Sequence, residues 1–203
     1  MNGPDLLLSY TMFCLIMATT PGPNNMMVLA SGVRFGTRRS LPLAFGIAAG
    51  MAVLFGATGS GLGAAFAALP VLAVALRLLS AAFLLWLAWK IATSGPLKRD
   101  PDDLKVLGFP TGVAFQWINP KAWAAAMTAA STYLPEGAGM ATVGAGAAII
   151  AAAALFATTT WIVFGVWLSQ FLHEPRRAHA FNIVMAILLL VSTLPILFGK
   201  LAA

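Results

Sequence analysis

Ala18-Thr19-Thr20-Pro21-Gly22-Pro23-Asn24-Asn25 interrupts the first long apolar run of this chain, between residues 6–17 and 26–30. Pro21 and Pro23 carry no backbone N–H, and Gly22 tolerates almost any backbone angle. A continuous helix is not expected through these residues. Lipid does not tolerate unpaired backbone groups, so an interruption at membrane depth has to face protein or a watery cavity. Such an interruption is a candidate binding site.

The surroundings place it in a membrane. The chain has 203 residues, 60% hydrophobic and 9% charged, with mean hydropathy +0.89. That is far more apolar side chain than a soluble domain of this size needs. The expected fold is an all-α integral membrane protein, one transporter domain over residues 1–203. The formal net charge of +6 does not argue for nucleic acid, because the basic residues fall in short gaps between apolar runs. Cys14 is the one cysteine and lies in an apolar run, so it reads as a small buried side chain. No thiol cluster, buried carboxylate or His cluster argues for a metal, and no cofactor is expected. The N-terminus lacks a basic n-region and a good cleavage site, so it reads poorly as a signal peptide.

At roughly 20 apolar residues per span, six transmembrane helices are expected. They cover about 6–33 (interrupted at 21–23), 41–69, 71–91, 109–134, 139–171 and 180–198. Polar stretches at 34–39, 93–107 and 173–179 and a turn at 135–137 separate them. Nine of the twelve basic residues then share one side: Arg34, Arg38, Arg39, Lys90, Lys98, Arg99, Lys105, Arg176 and Arg177. The other side has only Lys200. The positive-inside rule puts both termini outside the cytoplasm. Trp86, Trp89, Trp161 and Trp167 fall toward the inner helix ends and suit an interfacial belt.

The fourth run carries a second interruption, Gln116-Trp117-Ile118-Asn119-Pro120-Lys121. Interrupted helix, long Gly/Ala-rich helix and short Leu-rich helix thus occur twice. Repeat one is about 5–92, the linker 93–108 and repeat two about 109–199. Three helices per half make the halves inverted, a plan many secondary transporters share. At ~1.5 Å per residue, about 22 and 17 Å of helix flank the first interruption, and about 16 and 22 Å the second. Both are expected near the membrane midplane.

Pro23 and Pro120 suit the first position of new helices, with Gly22 and Asn119 as N-caps. The N–H groups of Asn24, Asn25 and Met26, and of Lys121, Ala122 and Trp123, are expected to lack partners and to favour an anion such as a carboxylate. Lys121 adds a full charge; an intramembrane lysine is costly and functional by default. Carbonyls freed near residues 18–20 and 115–117, with side-chain oxygens of Asn24, Asn25 and Gln116, would take an ammonium group. The substrate-binding set is therefore Thr20, Pro21, Gly22, Pro23, Asn24, Asn25, Gln116, Asn119, Pro120 and Lys121, for a small zwitterion. Arg77 is an accessory candidate, about 9 Å along its helix and equally suited to snorkelling outward. A catalytic set is not expected: both histidines are in one loop and no carboxylate is buried.

Thr20-Pro21-Gly22-Pro23-Asn24, the basic turn, Gly46-Ile47-x-x-Gly50, Ala81-Ala82-Phe83-Leu84-Leu85-Trp86-Leu87 and Asn119-Pro120-Lys121-Ala122 resemble the LysE/RhtB family of amino-acid exporters. The resemblance covers nearly the whole chain. It implies an exporter of amino acids or related metabolites in the bacterial inner membrane, driven by the proton gradient. The paired interruptions suit a secondary transporter working by alternating access, and small residues such as Gly46-x-x-x-Gly50 allow close helix packing within or between protomers, which admits a homodimer. Arg77 falls where a basic residue is common. Two departures stand out. Many relatives have Asp where this chain has Asn24, and many end helix four differently from Ser131-Thr132-Tyr133-Leu134-Pro135. With no Asp or Glu in the membrane interior, a lysine-like side chain has no counter-charge, so neutral amino acids are expected over basic ones. The competing expectation is a passive channel or an exporter of another small solute.

Overall fold

The computed structural model describes residues 3–62, 70–93, 106–172 and 174–198, and these contain helices and turns with no strand. In chain order the helices are α1 (Pro4–Thr19), α2 (Pro23–Ala57), α3 (Pro70–Ala92), α4 (Phe109–Ile118), α5 (Pro120–Tyr133), α6 (Met140–Ser169) and α7 (Pro175–Phe198), with a π-turn over Thr58–Leu62 after α2. Proline stands first in five of them and second in α4, positions where a missing N–H costs nothing.

α2 is a hairpin, not a rod. Gly36 has φ 75° and ψ 176°, and Ser31 Oγ lies 2.8 Å from Ser40 Oγ. In a straight helix nine residues would span about 13.5 Å and end on the opposite face. The chain therefore reverses at Gly36, with arms 23–35 and 37–57. Ser40 Oγ donates to the Gly36 carbonyl, so Ser31 donates to Ser40 across the turn. Among the described residues, two stretches are long and apolar enough to cross a bilayer, Pro23–Gly61 and Met140–Ser169. The reversal leaves the arm from residue 37 onward as the spanning part of the first.

The two arms make different crossings. On the first, a Cβ on Gly32 would lie 2.4 Å from the Ile162 carbonyl oxygen, and one on Gly165 2.5 Å from the Leu29 carbonyl oxygen. On the second, a Cβ on Gly46 would lie 2.1 Å from the Phe109 carbonyl oxygen. Helix backbones touch at both places, so α2 is wedged between α6 and α4, while α3 packs on α7 and α1 on α6.

Large apolar side chains cover the outside. Leu8, Met12 and Ile16 on α1, Leu78 and Leu85 on α3, and Ile187 and Val191 on α7 are exposed at helical spacing. Inside, Tyr10 is fully buried, its hydroxyl donating to the Gly146 carbonyl at 2.8 Å. Its ring sits 6.0 Å from that of Phe55 and 5.2 Å from that of Tyr133, and forms one end of the core.

Two boundaries differ from expectation. The polar stretch expected at 173–179 is largely the first turn of α7, because Pro175 starts the helix and Glu174 pairs with Arg177 at 3.0 Å. The second span, expected to reach residue 69, ends its α-helix at Ala57; a π-turn over Thr58–Leu62 follows, within which Gly61 takes φ 111°. Residues 63–69 and most of the 93–107 linker, with Lys98, Arg99 and Lys105, lie outside the described residues, as do Lys200 and His173.

Candidate functional site

Each junction begins as a helix end that has run out of backbone partners. At the first, α1 stops at Thr19 because Pro21 and Pro23 offer no N–H to its last carbonyls. Thr19 Oγ1 donates to Leu15 O and Thr20 Oγ1 to Ile16 O. Asn25 then reaches back from α2, its Nδ2 donating to the carbonyls of Ala18 and Thr20, both at 2.9 Å. Trp161 Nε1 approaches Thr19 O at 3.3 Å. Lys121 Nζ donates to Thr20 O at 2.7 Å and approaches Pro21 O at 3.4 Å. The carbonyl end of α1, negative by its dipole, is thus covered by amides, an indole and an ammonium.

The start of α2 is bare. Gly22 is extended and has no side chain to cap with, and Pro23 has no N–H. Met26 N bonds back to Gly22 O at 3.0 Å, which removes it from the set of free donors expected there. The N–H groups of Asn24 and Asn25 have no acceptor among the described residues.

The second junction closes on itself. Asn119 Oδ1 accepts from Lys121 N at 3.1 Å, and Asn119 O accepts from Ala122 N and Trp123 N at 3.0 and 3.2 Å. The three N–H groups expected to be free at the start of α5 are therefore all used. The carbonyls ahead of it are used too: Gln116 O accepts from Asn119 N, Trp117 O from Trp123 Nε1, and Ile118 O from Ser80 Oγ at 2.7 Å. The reason is local. Asparagine at the N-cap brings a side-chain acceptor for these N–H groups, and glycine brings none.

The junctions are tied by side-chain amides. Asn24 Nδ2 donates to Gln116 Oε1 at 2.9 Å and Gln116 Nε2 returns to Asn24 Oδ1 at 3.1 Å. Gln116 is fully buried and also donates to Gly112 O. These amides were expected to offer oxygens to an ammonium group. Asn24 and Gln116 spend theirs on each other, and Asn25 works through its nitrogen.

A cavity of about 50 Å³ adjoins both junctions, room for a few water-sized groups. Gly22, Pro23, Asn24, Asn25, Asn119, Lys121 and Thr158 form its polar end, and Phe13, Cys14, Met17, Met51, Ala122, Ala125, Ile150 and Ala154 line the rest. Thr20 and Pro21 are exposed and stand outside its lining, but their carbonyls hold the ammonium of Lys121, which does line it; Gln116 bonds Asn24, and Pro120 is buried at the start of α5. Arg77 lies on α3 with its side chain outside the described ones. No group of three or more His, Cys, Asp or Glu that would hold a metal exists among the described residues. Asp5 and Glu136 are exposed, and Glu174 is paired with Arg177.

Trp161 differs from the other tryptophans expected near the inner helix ends. It is half-buried with its Nε1 on Thr19 O, whereas Trp86, Trp89 and Trp167 are exposed. Only its place in the fold reveals this. The apolar lining was equally invisible as a site, since Cys14, Met17 and Met51 read as core from the chain alone.

A family model described as LysE type translocator matches residues 15–198. The chain is 32% identical over 199 residues, 96% of its own length and 99% of theirs, to cysteine/O-acetylserine efflux proteins of Escherichia coli K12, E. coli O139:H28 and Shigella sonnei. No solved structure matches it.

Proposed function

The chain belongs to the LysE type translocator family, membrane transporters and not enzymes, and from that premise we propose that it exports small neutral amino acids or related metabolites. One observation carries the reading. Asn24, Asn25 and Lys121 line a single cavity that no carboxylate lines, and the Lys121 ammonium lies on the carbonyl end of α1 beside it. A zwitterion fits that polarity. Its carboxylate would lie on the Asn24 and Asn25 N–H groups, with Lys121 as counter-charge, and its ammonium toward the Thr20 and Pro21 carbonyls. Its substituent would lie among Cys14, Met17, Met51 and Ala125, where a short uncharged group is welcome and a second cation is not. Cysteine and O-acetylserine, named for the relatives, have that form.

We place the chain in the bacterial inner membrane as one domain of six spans in two inverted sets of three. α1 with arm 23–35, and α4 with α5, are the two interrupted spans, their junctions near the midplane. Both termini face the periplasm. Export proceeds by alternating access around the junctions, driven by the proton gradient, in a homodimer. No nucleic acid is involved.

The test uses purified protein in proteoliposomes and labelled cysteine under reductant. Saturable counterflow, competed by O-acetylserine and serine but not by lysine, supports the reading. Flux that rises linearly with concentration means a channel. Counterflow of no amino acid on a panel overturns the substrate class.

A further inference from the structure

The Lys121 ammonium does not sit where a counter-charge for a carboxylate would wait. It sits on the Thr20 carbonyl at 2.7 Å and beside that of Pro21, against the face of Gly22, where a Cβ would lie 3.1 Å from Nζ. Those carbonyls are the ammonium subsite of the reading above, on which this step rests. We propose that Lys121 is a tethered substitute for the substrate's own ammonium, occupying its subsite when the carrier is empty.

The physics follows from the site's polarity. The end of α1 carries the negative pole of a helix dipole, and no carboxylate among the described residues neutralises it from within the cavity. At the membrane depth proposed for this junction, helix-end carbonyls left without a donor are costly. A loaded carrier has the substrate's ammonium there. An empty one needs another cation before the two halves close, and Lys121 provides it from the first turn of α5. Thr20 and Lys121 belong to opposite halves of the chain, so this bond joins the halves whenever substrate is absent. When a zwitterion enters, its ammonium takes the carbonyls, and Lys121 turns to the carboxylate without losing a partner.

The consequence is directional. A carrier that closes both loaded and empty gives net export. One that closes only when loaded exchanges substrate for substrate. Lys121 is thus a positioning residue for the empty-state return, and its loss would leave exchange less affected than net efflux.

The experiment measures both modes on the full-length chain in proteoliposomes, with labelled cysteine under reductant. One is exchange, with saturating cysteine on both sides; the other is net efflux into cysteine-free buffer. For Lys121→Met the ratio of net efflux to exchange is expected to fall about tenfold or more, the equivalent of one charge-assisted hydrogen bond. Methylammonium, small enough to replace the lost ammonium, is expected to restore part of it. Gly22→Ala gives a second reading with Lys121 retained. Gly22 is extended, so alanine suits the backbone, but its Cβ crowds Lys121 Cδ at 3.0 Å and moves the ammonium off its carbonyl. A smaller fall in the same ratio is expected. Equal loss of both modes in the variant that folds, or an unchanged ratio, overturns the proposal. Wild-type protein that exchanges no amino acid overturns the substrate reading instead, so the two failures are distinguishable.

Discussion

The two junctions look alike in the sequence and differ in the molecule. Both place a proline at the first position of a new helix, and both are flanked by polar residues. The one ahead of α5 satisfies its donors locally: Asn119 takes three N–H groups with its own side chain and carbonyl. The one ahead of α2 keeps two donors unspent and borrows every partner for its carbonyls from elsewhere: Asn25 from the next helix, Trp161 from α6 and Lys121 from α5. The difference traces to one residue, glycine against asparagine at the N-cap. On the proposed reading, the interruption that lacks a side-chain cap is the one with donors left for a ligand.

The largest effect expected from that contrast comes from one substitution made at both junctions. Asn25→Asp keeps the shape of the side chain but removes the nitrogen that donates to Ala18 O and Thr20 O, and sets a carboxylate against them. At about 1–3 kcal/mol per buried group left unsatisfied, the loss is on the order of 3 kcal/mol. Transport should fall about 100-fold, since 1.4 kcal/mol is tenfold. Asn119→Asp retains the oxygen that accepts from Lys121 N, at a helix start where negative charge is favoured, and should stay within about 1 kcal/mol of wild type. Thermal midpoints in detergent together with exchange rates check both. Similar losses at the two positions would mean that the junctions are equivalent.

How much of this was legible beforehand follows from the range of each interaction. Helix ends at Thr19 and Ile118 come from the backbone chemistry of the next few residues, and hydropathy marks the apolar elements around them. The reversal at Gly36 lies within the expected basic turn, although only the 2.8 Å Ser31–Ser40 contact shows how tight it is. The cap at Asn119 was readable too, but not its consequence, that α5 has no donors left to offer. Partners separated by a hundred residues or more, Lys121 with Thr20 and Trp161 with Thr19, are set by packing. Apolar periodicity looks the same for a core residue and a cavity wall, so Cys14, Met17 and Met51 stayed hidden.

An intermediate effect tests the missing counter-charge. Asn24 exchanges two hydrogen bonds with Gln116. In Asn24→Asp, Gln116 Nε2 still donates to the aspartate, so the link between junctions survives with one bond fewer. The change adds a negative charge to the polar end of the cavity, which now has only Lys121. Lysine, which the proposed reading excludes from the wild-type site, is expected to compete with cysteine about tenfold better, within the usual range for one charge-assisted hydrogen bond. Competition counterflow measures it. If lysine remains excluded, the neutral preference has a steric cause in the cavity walls and not an electrostatic one.

The smallest effect is the most direct test of the N-cap argument. Asn119→Ala removes the oxygen that accepts from Lys121 N but leaves Asn119 O, a backbone atom, for Ala122 and Trp123. Losing a cap costs about 1 kcal/mol. Asn119→Ser should recover most of it, because a serine oxygen reaches the same donor. The functional readout separates a stabilising cap from a site. The freed Lys121 N–H lies at the rim of the cavity, so alanine converts the closed junction partway toward the open one. The apparent affinity for cysteine should then change by no more than about twofold, because on the proposed reading the substrate's carboxylate already has the Asn24 and Asn25 donors, and one further N–H gains little more. A loss of affinity as large as that of Asn25→Asp would place Asn119 in direct contact with substrate, and would make the second junction, now the quiet one, an equal half of the site.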